Sequence, residues 1–321
     1  MDLYKELDAY QEGEFFALAD HKIKNHLPQW IQFSSKVFWL NDPEGEKNLT
    51  TYSSVLDFYL QNGIHRDSTL FVFGGGATSD LGGFLAATIL RGVKWIVVPT
   101  TLLAMVDGAL GGKVAVNTPA GKNLAGSFHH PEKIFLCKDF LSTLDEENLQ
   151  SGKGEILKYA FLSQPVYELV KDKQSLEKII EACAKFKMSV VEKDFKEKGD
   201  RIFLNLGHTL GHAFESTLKI PHGLAVAMGM KYLFEILKKE ESLVIWKELI
   251  TALELPSEKL SLKTYPQFDK KKFVEFLQKD KKRSGEKIRL VLADGPGNPS
   301  TLDLSLAELK TLLKTHEDFQ D

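Results

Sequence analysis

At 321 residues, 43% of them hydrophobic and 26% charged, the chain is long enough for two ordinary globular domains and lacks the composition of a disordered one. A formal net charge of -3 argues against nonspecific nucleic-acid binding, and no run of like charges makes a polyanion-binding tail. The charged first residues lack the apolar core of a secretory signal, no apolar run reaches the roughly 18 residues of a membrane span, and Cys137 and Cys183 form neither a disulfide framework nor a zinc ribbon, so a soluble protein of the reducing cytoplasm is expected.

In chain order, residues 1–68 give mixed signals: a helix over 21–27, a strand over 36–40 and a helix over 52–62, with the charged loop NDPEGEKNL between the last two. Residues 70–73 read as a strand that stops at Gly74, Gly75 and Gly76. Three glycines there would free the backbone for positive φ and let it approach a pyrophosphate, with N–H groups as anion donors. The spacing is not the dinucleotide fingerprint G-x-G-x-x-G, and a tight turn explains it as well. A helix over 81–90 and a strand over 95–98 follow, a strand-helix-strand rhythm that predicts a parallel sheet, and 133–137 gives one more strand. Arg91-Gly92, Gly111-Gly112-Lys113 and Gly121-Lys122-Asn123 set three cations beside flexible backbone, which suits an anionic ligand.

After about residue 144 period-2 runs nearly vanish and helical patterns take over, which divides the chain into 1–144 and 145–321. A helix over 175–194 carries an apolar stripe of Leu176, Ile179, Ile180, Cys183, Val190 and Val191. Lys187 falls in that stripe, where it is either paired and functional or a rim residue with its charge in water. Further helices are expected over 222–239, 242–253, 270–279 and 305–313, with a lone strand over 288–293. His208, His212 and His222 lie within fifteen residues, and Glu155 sits on a predicted helix in GKGEILKY. Three such ligands and one open position suit a catalytic zinc. The i, i+4 spacing of His208 and His212 would by itself make both of them ligands.

The segments GGGATSDLGGF, RGVKWIVVPTTLLAMVDGALGGK, GKNLAGSF, GKGEILKYA and LNLGHTLGHAFE, followed by HGLAV, together resemble the sugar phosphate cyclase family, on its 3-dehydroquinate synthase branch, in order from about residue 20 onward. The resemblance implies an α/β N-terminal NAD-binding domain with a mostly parallel sheet, followed by a mainly α-helical domain that binds metal and substrate. It implies an NAD- and metal-dependent carbon-oxygen lyase, with zinc or cobalt as the metal. The reaction implied is conversion of 3-deoxy-D-arabino-heptulosonate 7-phosphate to 3-dehydroquinate and phosphate by transient oxidation, elimination, re-reduction and aldol closure. A homodimer acting on a phosphorylated sugar acid, with neither nucleic acid nor membrane as partner, goes with it.

Residue by residue, the resemblance assigns the metal to Glu155, His208 and His222 and leaves His212 as a substrate contact. Asp107, Lys113, Asn123, Lys158, Lys187, Arg201 and Asn205 would also touch substrate, Arg91 would reach its phosphate, and Lys281 (or its neighbour Lys282) would complete the cation set. Gly75, Gly76, Asp80, Thr100, Thr101, Lys113 and Lys122 would hold NAD. Glu46 and Lys47 would take its adenosine side, though a solvated charged loop accounts for them as well. Ser79, the pair Gly108-Ala109 and the pair Asp194-Phe195 depart from the family pattern and leave room for a cyclase with a different sugar phosphate. A noncatalytic NAD- or metabolite-binding descendant is the reading from another class, and the intact Glu155, His208 and His222 argue against it.

Overall fold

Apolar runs in the first half of the chain become strands buried on both faces. The computed structural model describes residues 3–10, 15–284 and 287–320, and for Tyr4 and residues 279–284 the backbone alone. The chain divides into two units, Met1–Asp145 and Glu146–Asp321. In the first, β1 (Phe15–Asp20), β2 (Val37–Leu40), β3 (Thr69–Gly74) and β4 (Lys94–Pro99) are followed by β5 (Lys113–Thr118), β6 (Gly121–Phe128) and β7 (Lys133–Ile134). One five-stranded sheet has the order β2-β1-β3-β4-β7, parallel throughout. Central strands of a parallel sheet are covered on both sides and carry continuous apolar sequence rather than alternation, as FFALA and LFVF do here. Register aligns Phe16, Leu70 and Trp95, and then Leu18, Val72 and Val97, in one buried cluster with Val55, Tyr59, Leu81 and Leu85 from the helices Leu49–Gln61 and Gly76–Thr88. The hydroxyl of buried Tyr59 donates to the Ala17 carbonyl at 2.6 Å, so the cluster holds no unmet hydroxyl there.

The glycines after β3 differ from expectation. Gly75 has φ -77, and none of Gly74, Gly75 and Gly76 takes positive φ. Close approach is the reason for them instead: a Cβ on Gly74 would run into Thr78, and one on Gly75 would lie 2.9 Å from Thr101 Cγ2. β5 and β6 form an antiparallel hairpin outside the main sheet, flanked by positive-φ Gly111, Gly112 and Gly121. β7 has two residues where five were expected.

The second unit is mainly helical: Glu146–Leu162, Gln164–Lys171, Leu176–Lys193, His208–Leu218, His222–Ile236, Glu240–Ala252, Lys270–Ser284 and Leu306–Leu313. The expected lone strand β8 (Ile288–Ala293) is in fact half of an antiparallel hairpin with β9 (Pro299–Leu304). On Leu176–Lys193 the buried stripe is Ile179, Ile180, Cys183, Ala184, Lys187 and Val191. Lys187 is 6% exposed, which removes the rim alternative. Among the described residues no helix is long and apolar enough to cross a membrane.

Gly83, on the face that Gly76–Thr88 turns to the sheet, tests this packing. A Cβ there would meet Val114 and lie 2.8 Å from Trp95 Cη2, on a fully buried ring. Gly83→Ala is expected to destabilise the protein by about 1–3 kcal/mol, because the overpacked helix must lift from the sheet. Urea unfolding followed by Trp fluorescence checks this, and an unchanged midpoint would contradict it.

Candidate active site

In the first unit the ends of β3 and β4 set out the polar residues. Gly75 caps the Gly76–Thr88 helix, and a Cβ on Gly76 would meet nothing within 4 Å, so the helix N-terminus opens onto free space. Thr100 is buried and donates its N–H to the Gly74 carbonyl at 2.9 Å, while Thr101 Oγ1 accepts the Ala104 N–H at 3.2 Å. Asp80, one turn into the helix, lies 2.9 Å from Lys47 Nζ. Lys47 is 5% exposed, so the charged loop that carries it is drawn inward rather than solvated along its length. Glu46 shapes that loop by accepting the N–H groups of Asn41 and Asp42 at 2.7 and 2.8 Å. A cavity of about 350 Å³ brings Asp80, Lys113 and Asn123 together with Val114 and Leu124. Asn123 has φ 56 and its N–H is held by Asn117 Oδ1 at 3.1 Å. Asp107 is half-buried in the single turn Ala104–Gly108. Lys122 is 70% exposed, with Glu44 Oε1 3.9 Å from its Nζ.

Arg91 is not brought to this cavity within the unit. It precedes β4, whereas Gly75, Gly76, Thr100 and Thr101 follow β3 and β4, so it stands at the opposite end of the sheet, exposed and with φ 69.

In the second unit three helices meet where their glycines let backbones touch. Gly154 packs on Gly223, whose N–H donates to Ser151 Oγ at 3.1 Å, and Gly207 and Gly211 pack on the Val226–Met230 stretch. A side chain at any of these positions would hold the helices apart. Their closeness puts Glu155 (0% exposed) beside His208 and His222, the first residues of their helices. Glu155 Oε1 is 3.2 Å from His222 Nε2 and 3.7 Å from His208 Nε2, and Oε2 is 2.6 Å from the buried Lys158 Nζ. His212 joins them: one ring nitrogen from each of His208, His212 and His222 lies within 4.8 Å of the others. His208 is the most buried of the three and His212 the exposed one, so their i, i+4 spacing does not make them equivalent.

Both inner rings are oriented from behind. His208 Nδ1 is 3.1 Å from the Leu206 carbonyl, and His222 Nδ1 is 2.8 Å from Glu215 Oε2. Donation from Nδ1 leaves each Nε2 lone pair aimed at Glu155, and three such donors repel one another unless a cation or a proton lies among them. Burial, with Lys158, His222 and His212 adding to it against Glu155, pushes His208 down to about 3, so its ring is neutral. Burial also works against a charge on His222, but Glu155 and Glu215 overcome it and push this ring up to about 10. The donor set therefore fits a divalent cation, which takes the place of that proton.

In the turn Asp200–Asn205, Arg201 is buried, its Nη1 donating to the Phe195 carbonyl at 2.6 Å and its N–H to Asp194 Oδ2 at 3.1 Å. Asp194 also accepts the N–H groups of Lys198 and Gly199, and these bonds hold its carboxyl below the usual range. Asn205 donates to Glu197 at 3.1 Å. The side chain of Lys281 lies outside the described residues. Glu215, 2.8 Å behind His222, is a member of this arrangement that sequence reasoning did not single out; the turn that returns His222 to it has no spacing signature.

Against known proteins, residues 37–151 match the family 3-dehydroquinate synthase N-terminal, and residues 152–283 match 3-dehydroquinate synthase C-terminal. The chain belongs to the 3-dehydroquinate synthase family. The 3-dehydroquinate synthase of Clostridium kluyveri is 37% identical, covering 94% of this chain and 88% of its own length, and that of Thermococcus kodakarensis is 39% identical over 86% and 81%. A solved 2-deoxy-scyllo-inosose synthase, complexed with carbaglucose-6-phosphate, NAD+ and Co2+, superposes with a TM-score of 0.79 at 24% identity over 97% of this chain and 94% of its own. The 2-epi-5-epi-valiolone synthase of Streptomyces hygroscopicus, with NAD+ and Zn2+ bound, gives 0.80 at 21% identity over 94% and 91%. The chain thus shares the fold of these solved structures, a parallel-sheet α/β unit followed by a helical one.

Glu215→Gln keeps the size of the side chain and removes the charge behind His222. It is expected to weaken Zn2+ binding by roughly 10–100-fold, the usual cost of losing a carboxylate behind a ligating histidine. Competition against a chromophoric chelator measures this, and affinity equal to that of the unaltered chain would show that Glu215 does not support the ligand.

Proposed function

We propose that this member of the 3-dehydroquinate synthase family is an NAD- and metal-dependent carbon-oxygen lyase that converts 3-deoxy-D-arabino-heptulosonate 7-phosphate to 3-dehydroquinate and phosphate. The observation that carries the metal part is the fully buried Glu155, with the Nε2 atoms of His222 and His208 at 3.2 and 3.7 Å. Glu155, His208 and His222 are proposed to hold a zinc or cobalt ion, with the more exposed His212 left for substrate. When bound, the metal polarises the hydroxyl being oxidised and NAD takes up and returns the hydride.

The chain's own residues bind, orient and stabilise. Buried Lys158, Lys187 and Arg201 are proposed to neutralise the carboxylate and the departing phosphate, with Asn205 and His212 fixing orientation; cations in a water-poor site stabilise developing charge far more than they do in water. Gly75, Gly76, Thr100 and Thr101 are proposed to face the pyrophosphate of NAD, with Asp80 and the buried Lys47 fixing the neighbouring wall. Lys113 and Asn123 share a cavity with Asp80, which supports their place near the cofactor; Asp107, Lys122, Glu46, Arg91 and Lys281 belong to the proposal through the resemblance alone. Homodimer formation and a cytoplasmic location complete it, resting on the family and on cysteine usage respectively.

NAD should be required and not consumed. With substrate and NAD, phosphate is expected to accumulate without a matching rise in NADH absorbance, whereas a simple dehydrogenase would give NADH in proportion to product. Stoichiometric NADH would refute the cyclase reading.

Lys187 gives a test at a single side chain. A buried ammonium on an apolar stripe costs stability that methionine does not. Lys187→Met is therefore expected to hold or raise the melting temperature while lowering kcat/KM about a hundredfold, the effect of losing one charge-stabilising contact. Unchanged kcat/KM would remove Lys187 from the site.

A further inference from the structure

The family match ends at residue 283, yet the residues beyond it reach back to the histidine-bearing helices. β8 sets Leu290 and Val291, both buried, beside Asn205, Gly207, Thr209 and Leu210, the turn that begins the His208–Leu218 helix. Further on, the turn Glu317–Phe319 brings its ring into an aromatic cluster that includes residues of both helices, with Phe273 and Phe268 5.5 and 5.9 Å away. The Phe319 ring is buried, 6.4 Å from Phe214 and 5.5 Å from Tyr232 between centroids, and Phe214 and Tyr232 are 5.4 Å apart. Phe214 lies two residues after His212, and Tyr232 is on the helix that His222 begins. Polar contacts fix the same turn. The Tyr232 hydroxyl donates to Asp318 Oδ2 at 2.6 Å and accepts the Leu262 N–H at 2.8 Å. His316 Nδ1 accepts the Asp318 N–H at 3.2 Å, which leaves its Nε2 to donate to Glu235 Oε2 at 3.1 Å.

We infer that residues 316–319 form a latch that sets the separation of the two histidine-bearing helices, and that Asp318 and Phe319 are positioning residues for the metal-ligand cluster. Ligands must be held to within about half an ångström to bind an ion well. His208 and His222 ride on separate helices joined by the short turn 219–221, so their spacing is only as fixed as the packing of those helices. The glycine contacts join the start of the His208–Leu218 helix to the Val226–Met230 stretch of its neighbour; the latch adds contacts on both helices through Phe214 and Tyr232. Glu215, which orients His222, is next to Phe214 and shares its helix.

The inference rests on the metal reading of the cluster, and the test separates the two. The full chain and its variants Phe319→Ala, Phe319→Leu and Asp318→Asn are stripped of metal and titrated with Co2+, read by its visible ligand-field spectrum, and with Zn2+ against a chromophoric chelator. The titrations are run at a temperature where circular dichroism shows every apo protein folded, so that a loss of global stability does not enter the affinity. Phe319→Ala and Asp318→Asn are expected to weaken both ions about tenfold or more and to shift the Co2+ spectrum, as other changes behind a metal ligand do. Phe319→Leu should recover most of the loss, and NAD affinity should not change. Unaltered ion affinity and spectrum in variants that merely melt earlier would overturn the latch and leave the metal site standing. If Phe319→Ala does not fold, Asp318→Asn decides alone by the same criterion. An unaltered chain that binds neither ion would overturn the metal reading, and the latch with it.

Discussion

Glu155 sets its carboxylate where no water reaches it, and the second unit is arranged around meeting that group. An isolated buried carboxylate is costly enough that it would rather take up a proton, so it remains ionised only with close partners. Lys158, one turn along the same helix, supplies one at 2.6 Å, and the other oxygen is turned to the two imidazoles. The helix crossing falls at the same place. Gly154 immediately precedes Glu155 and Gly223 immediately follows His222, so the point where the two backbones come closest is the point where carboxylate and ring meet. Any side chain at either glycine would separate the helices by several tenths of an ångström or more and spoil the approach.

Glycine also shapes the end of β3 in the first unit. There Gly74 and Gly75 keep the strand end clear of Thr78 and Thr101, and Gly76 leaves the helix N-terminus open. One residue type thus allows close packing in both units, at Gly83 as at Gly154, and leaves open space at Gly76, and the sequence context differs: a strand before the glycines at 74–76, a histidine beside those at 207, 211 and 223. Charge follows the same division. Lys47 and Asp80 pair at the border of their cavity with part of Asp80 exposed, whereas Glu155 and Lys158 are sealed.

Much of this was legible from residue order. Continuous apolar runs gave away β3 and β4, the three- and four-residue stripe gave the Leu176–Lys193 helix and set Lys187 on it without deciding its burial, and the close spacing of the histidines marked rings that the structure brings together. What escaped notice depends on partners distant in sequence. FFALAD fits a helix about as well as a strand, and β1 is a strand because β2 and β3 flank it. GKNLAGSF has two glycines, a lysine and an asparagine and lies mostly in water, so only its ladder with β5 makes it a strand. β9 begins at a proline, tolerated at the first residue of an edge strand, which hid the partner of β8. Glu215 and Asp318 act across loops and leave no periodic trace.

The positions that depart from the family pattern can be weighed by what their atoms touch. Phe195 meets Arg201 through its backbone carbonyl, a contact that any residue type at this position can supply. Asp194 gathers three backbone N–H groups and holds the loop in the shape that presents that carbonyl. Ser79 is buried and returns its hydroxyl to the Gly75 carbonyl at 3.0 Å, an added tie within the first turn of the helix rather than a group turned to a ligand. At Gly108 a Cβ would stand 3.5 Å from Gly76 Cα, an ordinary contact, so a small side chain fits there and its absence widens the space over the helix N-terminus. These differences fall on the backbone supports of the turns, while the buried cations Lys158, Lys187 and Arg201 and the cluster of Glu155, His208 and His222 are all in place. A change of substrate within the family would have to act on charge or on the shape around charge, and of these positions only the space beside Gly108 is of that kind.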